Sequence, residues 1–122
     1  MSSKVMIIGK DDAEAKKISA FFIVSGYSTV VFTSVHDAKL NYERNKYFLV
    51  ASAYELNNEF GTELREWFVE MGYPQNFLLV SSKEEHKYVA SGNNVPFMLM
   101  ENVATKLPYI LEEFRKRDEQ MA

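Results

Sequence analysis

A few short groups of residues in this chain could do chemistry. Gly9-Lys10 has the pairing found in phosphate-cradling loops, but the Gly-x-x-x-x that should precede it and the Ser/Thr that should follow are missing. Ser81-Ser82 offers two hydroxyls that would become nucleophiles if a base stood within reach. The sequence shows no His/Asp relay for either, and Ser82-Lys83-Glu84-Glu85 reads as a capping box with Ser82 as N-cap. His36 and His86 fall in capping segments and share no spacing with other ligands, so both read as surface residues and no metal site is expected. Tyr54 and Phe60 bracket a loop that also holds Glu55 and Asn57.

Composition narrows the classes further. The chain has 122 residues, 47% hydrophobic and 25% charged, which suits one compact domain spanning 1–122. A net charge of -3 leaves no basic excess to neutralise phosphates, so direct nucleic-acid binding is not expected. No cysteine is present, which removes disulfides and thiolate zinc sites and fits a reducing cytoplasm. The apolar stretch from Val5 to Ile8 is too short for a signal-peptide core or a membrane span. Aromatics are 14% of the chain, and some are expected to face a binding partner.

These residues must be positioned by short apolar runs that alternate with amphipathic segments. Val5–Ile8 is apolar throughout, as a strand covered on both faces would be. Asp11 or Asp12 can cap a helix running to about Val24, with Ile18, Phe21, Phe22 and Ser25 on one face and Gly26 ending it. Thr29–Phe32 is a β-branched strand. Ser34-Val35-His36-Asp37 opens a second helix with Val35, Ala38 and Tyr42 on one side, stopping near Asn45. Tyr47–Ala53 is the third strand, and a loop runs from Tyr54 to Gly61. A third helix follows with Leu64, Trp67, Phe68 and Met71 inward, broken at Gly72-Tyr73-Pro74. Phe77–Val80 is the fourth strand and a short fourth helix follows. Ser91–Asn94 is a turn, and Pro96–Met100 is the fifth strand. The last helix shows Leu107, Ile110, Leu111 and Phe114 on one face, with Thr105 as cap and Pro108 in the first turn. Five β/α units with helix-length crossovers predict an α/β fold, a doubly wound five-stranded parallel sheet with helices on both faces. Such sheets hold ligands at the carboxyl ends of their strands, here Gly9-Lys10, Ala53-Tyr54, Ser81-Ser82 and Met100-Glu101.

The order and spacing of these elements resemble the receiver (CheY-like) domain of response regulators over nearly the full length. The Lys4–Ile8 strand, the Gly26-Tyr27 break, Gly61 and Phe97 carry the likeness. The resemblance implies a phosphorylation pocket: an acidic pair that holds Mg²⁺, a phosphoacceptor aspartate, a hydroxyl and a lysine. Carried over by position, the acidic pair falls on Gly9 and Lys10, the phosphoacceptor on Ala53, the hydroxyl on Ser81, the lysine on Met100 and the switch aromatic on Phe97. Asn57 and Glu101 stand where the family usually has proline. Only the serine and the aromatic are kept, so the resemblance is to a degenerate, pseudo-receiver form. A slip of two residues would bring Asp11-Asp12 into the acidic role, but Ala53 would still lack a nucleophile. Ser52 should point to the opposite side of its strand. Lys10 can replace the metal's charge by pairing with Glu55 or Glu101, or it can extend to solvent. Tyr54 and Phe60 are either recognition aromatics or filler for the space left by Ala53.

The leading expectation is a phosphorylation-independent, non-enzymatic interaction module of a two-component or phosphorelay pathway. It implies no cofactor and no metal, and a protein partner on the face made by the fourth helix, fifth strand and fifth helix. Neither nucleic acid nor membrane is implied, and a homodimer is compatible with the chain. The segment from Ser81 to Met100 is shorter than the family layout by about one helical turn, so the fourth helix should be abbreviated. A second expectation is an atypical receiver switched by an anion or small ligand near Lys10 and Ser81, or by oligomerisation. A third is a small flavodoxin-like cofactor binder or enzyme, which fold alone does not forbid.

Overall fold

A computed structural model describes residues 3–121. Five parallel strands form one sheet: β1 (Lys4–Ile8), β2 (Ser28–Phe32), β3 (Leu49–Ala53), β6 (Phe77–Ser81) and β7 (Phe97–Leu99), in the order β2-β1-β3-β6-β7. A separate antiparallel hairpin, β4 (Glu55–Leu56) and β5 (Glu59–Phe60), follows β3. The helices are α1 (Asp12–Val24), α2 (Val35–Asn41), α3 (Thr62–Met71), α4 (His86–Gly92) and α5 (Val103–Met121). Every residue of β3 and of β6 is buried, which requires cover on both faces of the sheet. The doubly wound α/β expectation therefore holds.

Local chemistry explains most boundaries. Asp11 caps α1, its carboxylate accepting the Glu14 N–H at 2.8 Å. Glu14 in turn accepts the Lys10 N–H at 2.9 Å, so the first turn closes reciprocally. Ala15, Ile18, Ser19 and Phe22 form the buried face of α1. Ser19 is tolerated there because its hydroxyl bonds that of Thr29 at 2.6 Å. Phe21 is half-buried, and Ser25 is exposed, ending the helix and donating its hydroxyl to the Phe21 carbonyl instead of facing the core.

Several expectations are corrected. The second helix stops at Asn41, not near Asn45, because Tyr42 turns extended to place its ring among Tyr47, Trp67, Phe68 and Tyr73. The third strand begins at Leu49, two residues after Tyr47. The stretch from Tyr54 to Gly61 is not an open loop but holds the β4–β5 hairpin, with Asn58 in the left-handed region at φ 58°. Met71 closes α3 on its exposed side, while Leu64 and Phe68 carry the burial and Trp67 is half-buried. Ser82 caps nothing: the Ser81 hydroxyl takes the Lys83 N–H at 3.1 Å, and three-residue turns delay α4 until His86. As expected, α4 is short, at seven residues, although it absorbs Ser91 and Gly92 from the predicted turn. The fifth strand covers Phe97–Leu99 only, since Met100–Asn102 winds into a 3₁₀ turn that starts α5. Thr105 is thus inside the helix, donating to the Asn102 carbonyl, and Pro108 lies in the helix interior. Its missing N–H removes one helical donor to the Ala104 carbonyl, at an exposed position of the helix.

One contact decides how the chain leaves β3. A Cβ on Gly61 would stand 2.2 Å from the Ala53 carbonyl oxygen and 2.5 Å from Ser52 Oγ. Gly61 also donates its N–H to the Tyr54 carbonyl at 2.8 Å, fixing the base of the hairpin. Gly92, in contrast, has open space where a methyl group would stand. Gly61→Ala is therefore expected to destabilise the fold by about 1–3 kcal/mol, the range for forced overpacking. Gly92→Ala should be neutral or stabilising by roughly 0.5 kcal/mol, since a helix prefers alanine. Urea unfolding midpoints of the two variants check both signs.

Candidate functional site

The carboxyl ends of β1, β3 and β6 and the start of the 3₁₀ turn enclose an open cleft of about 460 Å³. Lys10, Asp11, Ala53, Tyr54, Glu55, Ser81, Lys83, His86 and Met100 line it, with Glu14 and Lys17 from α1. The sequence-derived set is thus largely brought together. Ile8 pairs with Ser52 across β1 and β3, and so the next residue, Gly9, comes level with Ala53. Gly9 is buried, and its N–H bonds the Phe32 carbonyl at 3.1 Å. A Cβ there would lie 2.5 Å from the Ala15 nitrogen, so glycine is what lets α1 start this close to the sheet.

Besides the buried Gly9, three residues of the sequence-derived set do not line the cleft. Asp12 and Glu101 are exposed beside it, and Phe97 is half-buried in β7. Ser52 is fully buried and donates to the Ala53 carbonyl at 2.9 Å, away from the cleft as its strand parity requires. Asn57 on the hairpin tip donates its amide to the Lys10 carbonyl at 2.9 Å, while Glu59 accepts the Val35 N–H at 2.7 Å. The hairpin therefore clips the β1–α1 loop to the start of α2.

Of the two readings of Lys10, the solvent-extended one holds: among the described residues it makes no ion pair with Glu55 or Glu101. Glu55 Oε1 instead meets Lys83 Nζ at 3.0 Å and His86 Nε2 at 3.1 Å. Lys83 reaches Glu55 more directly because α4 begins beside it, while the Lys10 main chain is held by Glu14 and Asn57 and its side chain runs to solvent. Among the described residues Lys10 and Lys17 are in no ion pair, and no three His, Asp or Glu groups are placed to hold a metal ion.

His86 is the residue that sequence reasoning misplaced. Its side chain is only 12% exposed, and it is no surface decoration. Nδ1 lies 2.6 Å from Ser81 Oγ, and Tyr54 packs edge-on against the ring at 4.5 Å between centroids. A Ser81–His86–Glu55 chain therefore exists, contrary to the expectation that no relay accompanies the serines. The short gap between Ser81 and His86 carries no recognisable signal, because it works only when α4 starts late. Tyr54 and Phe60 stack at 5.0 Å; Tyr54 is half-buried at the cleft wall and Phe60 is exposed outside it. His36 is exposed, as expected.

The Lys83 hydrogen bond, then its charge, and to a lesser degree His86 and Lys10, hold the Glu55 carboxyl below the usual glutamate range. A folded-state value below the unfolded one means that the pairing stabilises the fold above the ordinary glutamate range, about 4.3, and is lost as pH falls through the lowered value. A carboxyl-detected NMR titration should place Glu55 below the ordinary glutamate value, and Lys83→Met should move it up. The stability gap between wild type and Glu55→Gln should close on the acid side; a gap unchanged down to full protonation would contradict this assignment.

No protein-family model and no curated protein sequence matches the chain. Solved structures do match in shape. A signal receiver domain from Vibrio parahaemolyticus superposes with TM-score 0.79 at 13% identity, over 100% of this chain and 99% of that one. A CheY-like response regulator receiver domain from Methylobacillus flagellatus gives 0.77 at 17% identity, over 93% and 99% of the two chains. A CheY-like receiver domain protein from Methanospirillum hungatei JF-1 gives 0.74 at 15% identity, over 96% and 99%. The parallel sheet in the order β2-β1-β3-β6-β7, the alternating helices and these full-length superpositions agree: the chain has the fold of the CheY-like response-regulator receiver domains.

Proposed function

We infer that this chain is a receiver-like signalling domain that works without aspartyl phosphorylation, by contact with a protein partner in a two-component or phosphorelay pathway of the cytoplasm. The observation that carries this reading is Ala53. It ends the central strand at the cleft, level with Gly9, where receivers present a phosphoacceptor carboxylate beside an acidic pair. A methyl group cannot accept a phosphoryl group, and Gly9 supplies no oxygen side chain for Mg²⁺. The carboxylates that line the cleft are already engaged: Asp11 caps α1, Glu14 holds the Lys10 N–H, and Glu55 holds Lys83 and His86. With Met100 in place of a lysine and Ser81 bonded to His86, the groups that would read a phosphoryl group are absent or engaged.

The partner face in this reading is α4, β7 and α5. Tyr88 on α4 and Tyr109 on α5 are 70% and 76% exposed, and aromatics of this kind are enriched where proteins meet. The same face would serve a homodimer. A second reading, an anion-responsive domain, draws on Lys10 and Lys17, two cations at the cleft without ion-pair partners among the described residues.

An amide NMR titration with Mg²⁺ and beryllofluoride, the aspartyl-phosphate mimic, separates these possibilities. No specific shift is expected at Gly9, Ala53, Ser81 and Met100. Saturable shifts there would mean a working phosphorylation pocket and overturn the reading. Saturable shifts at Lys10 and Lys17 with inorganic phosphate alone would favour the anion-responsive form.

A further inference from the structure

The hydrogen bonds around His86 take one direction when its imidazole is neutral, the form in which it can act as a base. Glu55 lies below its usual range and is ionised at neutral pH, so it can only accept. His86 Nε2, 3.1 Å away, must therefore carry the proton. In the neutral imidazole that leaves Nδ1 as an acceptor, and the Ser81 hydroxyl at 2.6 Å must donate to it. Ser81 Oγ accepts the Lys83 N–H at 3.1 Å and keeps one lone pair. Hydroxyl to imidazole to carboxylate is the polarity by which a serine is activated in hydrolases. The ring is turned end for end relative to that arrangement, with Nδ1 facing the serine. The short link between Ser81 and His86 dictates this, since Nδ1 is the nitrogen nearer the main chain.

The surroundings suit a reaction. Ser81 is 9% exposed and lies on the wall of the 460 Å³ cleft, next to the small side chain of Ala53. Lys10 and Lys17 line the same cleft and are in no ion pair among the described residues. We propose that Ser81 is an activated nucleophile that takes acyl groups from small activated carboxylic esters, with His86 as its general base and Glu55 as a positioning residue.

In the first step Ser81 Oγ bonds to the acyl carbon while its proton passes to His86 Nδ1. The ester C–O bond breaks and the leaving alcohol takes that proton. Water then gives a proton to the same nitrogen and attacks the acyl-serine. The acid is released and the Ser81 hydroxyl is restored. This chemistry is independent of the interaction reading, and either can fail without the other.

The test incubates the full chain with p-nitrophenyl acetate and maps acetylation by peptide mass spectrometry, with released p-nitrophenolate as the rate. Acetylation of Ser81 is expected in the folded protein and should vanish in urea, where an isolated serine has no base. His86→Gln should slow it by at least about 100-fold, the lower range for a general base. Glu55→Gln should slow it less and replace the single Nε2–H tautomer by a mixture in the ¹⁵N imidazole spectrum. Acetyl groups on lysines alone, or Ser81 labelling that persists equally in urea or in His86→Gln, would overturn the proposal. The urea comparison uses wild-type protein, so it decides even where a variant fails to fold.

Discussion

The chain has to reverse direction within a few residues of β3, and it does so by laying Gly61 against the Ala53 carbonyl. No side chain fits between them. Because that approach is fixed, the hairpin that precedes Gly61 is folded back over the strand ends and cannot project into solvent. Asn57 and Glu59 then reach the starts of α1 and α2, and Glu55 is delivered to the edge of the cleft beside α4. The polar arrangement at the strand ends thus descends from a steric limit at one glycine.

The forces acting there are of unequal weight. The Glu55–Lys83 pair is about half exposed on both sides and is screened by water, so it adds little to stability. The Ser81–His86 hydrogen bond is better shielded and has fewer alternatives, since the imidazole is mostly buried against Tyr54. The surface pair sets the charge state of Glu55; the buried bond sets the orientation of the ring. The two are linked through the ring: while the imidazole is neutral, an ionised Glu55 on its far side sets the direction of the serine hydroxyl.

Much of the fold was legible in the sequence because strands buried on both faces must be apolar throughout. Val5–Ile8 and Phe77–Val80 announce themselves in that way, and Asp11, Gly26 and Gly72 mark helix ends through capping chemistry. The alignment of Gly9 with Ala53 followed from element spacing alone. What escaped notice depended on competition between near-equal local bonds. Ser82 has the pattern of a cap, but Ser81 captured the Lys83 N–H and shifted the helix start to His86. Tyr42 has the spacing of a helical residue, but four aromatic neighbours offered its ring more contact than one further helical turn. Thr105 has the chemistry of a cap, but a 3₁₀ turn began the helix earlier.

The aromatic cluster around Tyr42 has an optical consequence. Trp67 is the one tryptophan in the chain, and its ring lies within 6 Å of Tyr42, Phe68 and Tyr73, with Lys39 above it. These groups gather where α2 ends and where β3 and β6 begin, a strand length of about 17 Å from the cleft. Light absorbed by the tyrosines there is passed to a single indole. The emission of this protein is therefore a gauge of how α2 and α3 sit on the sheet.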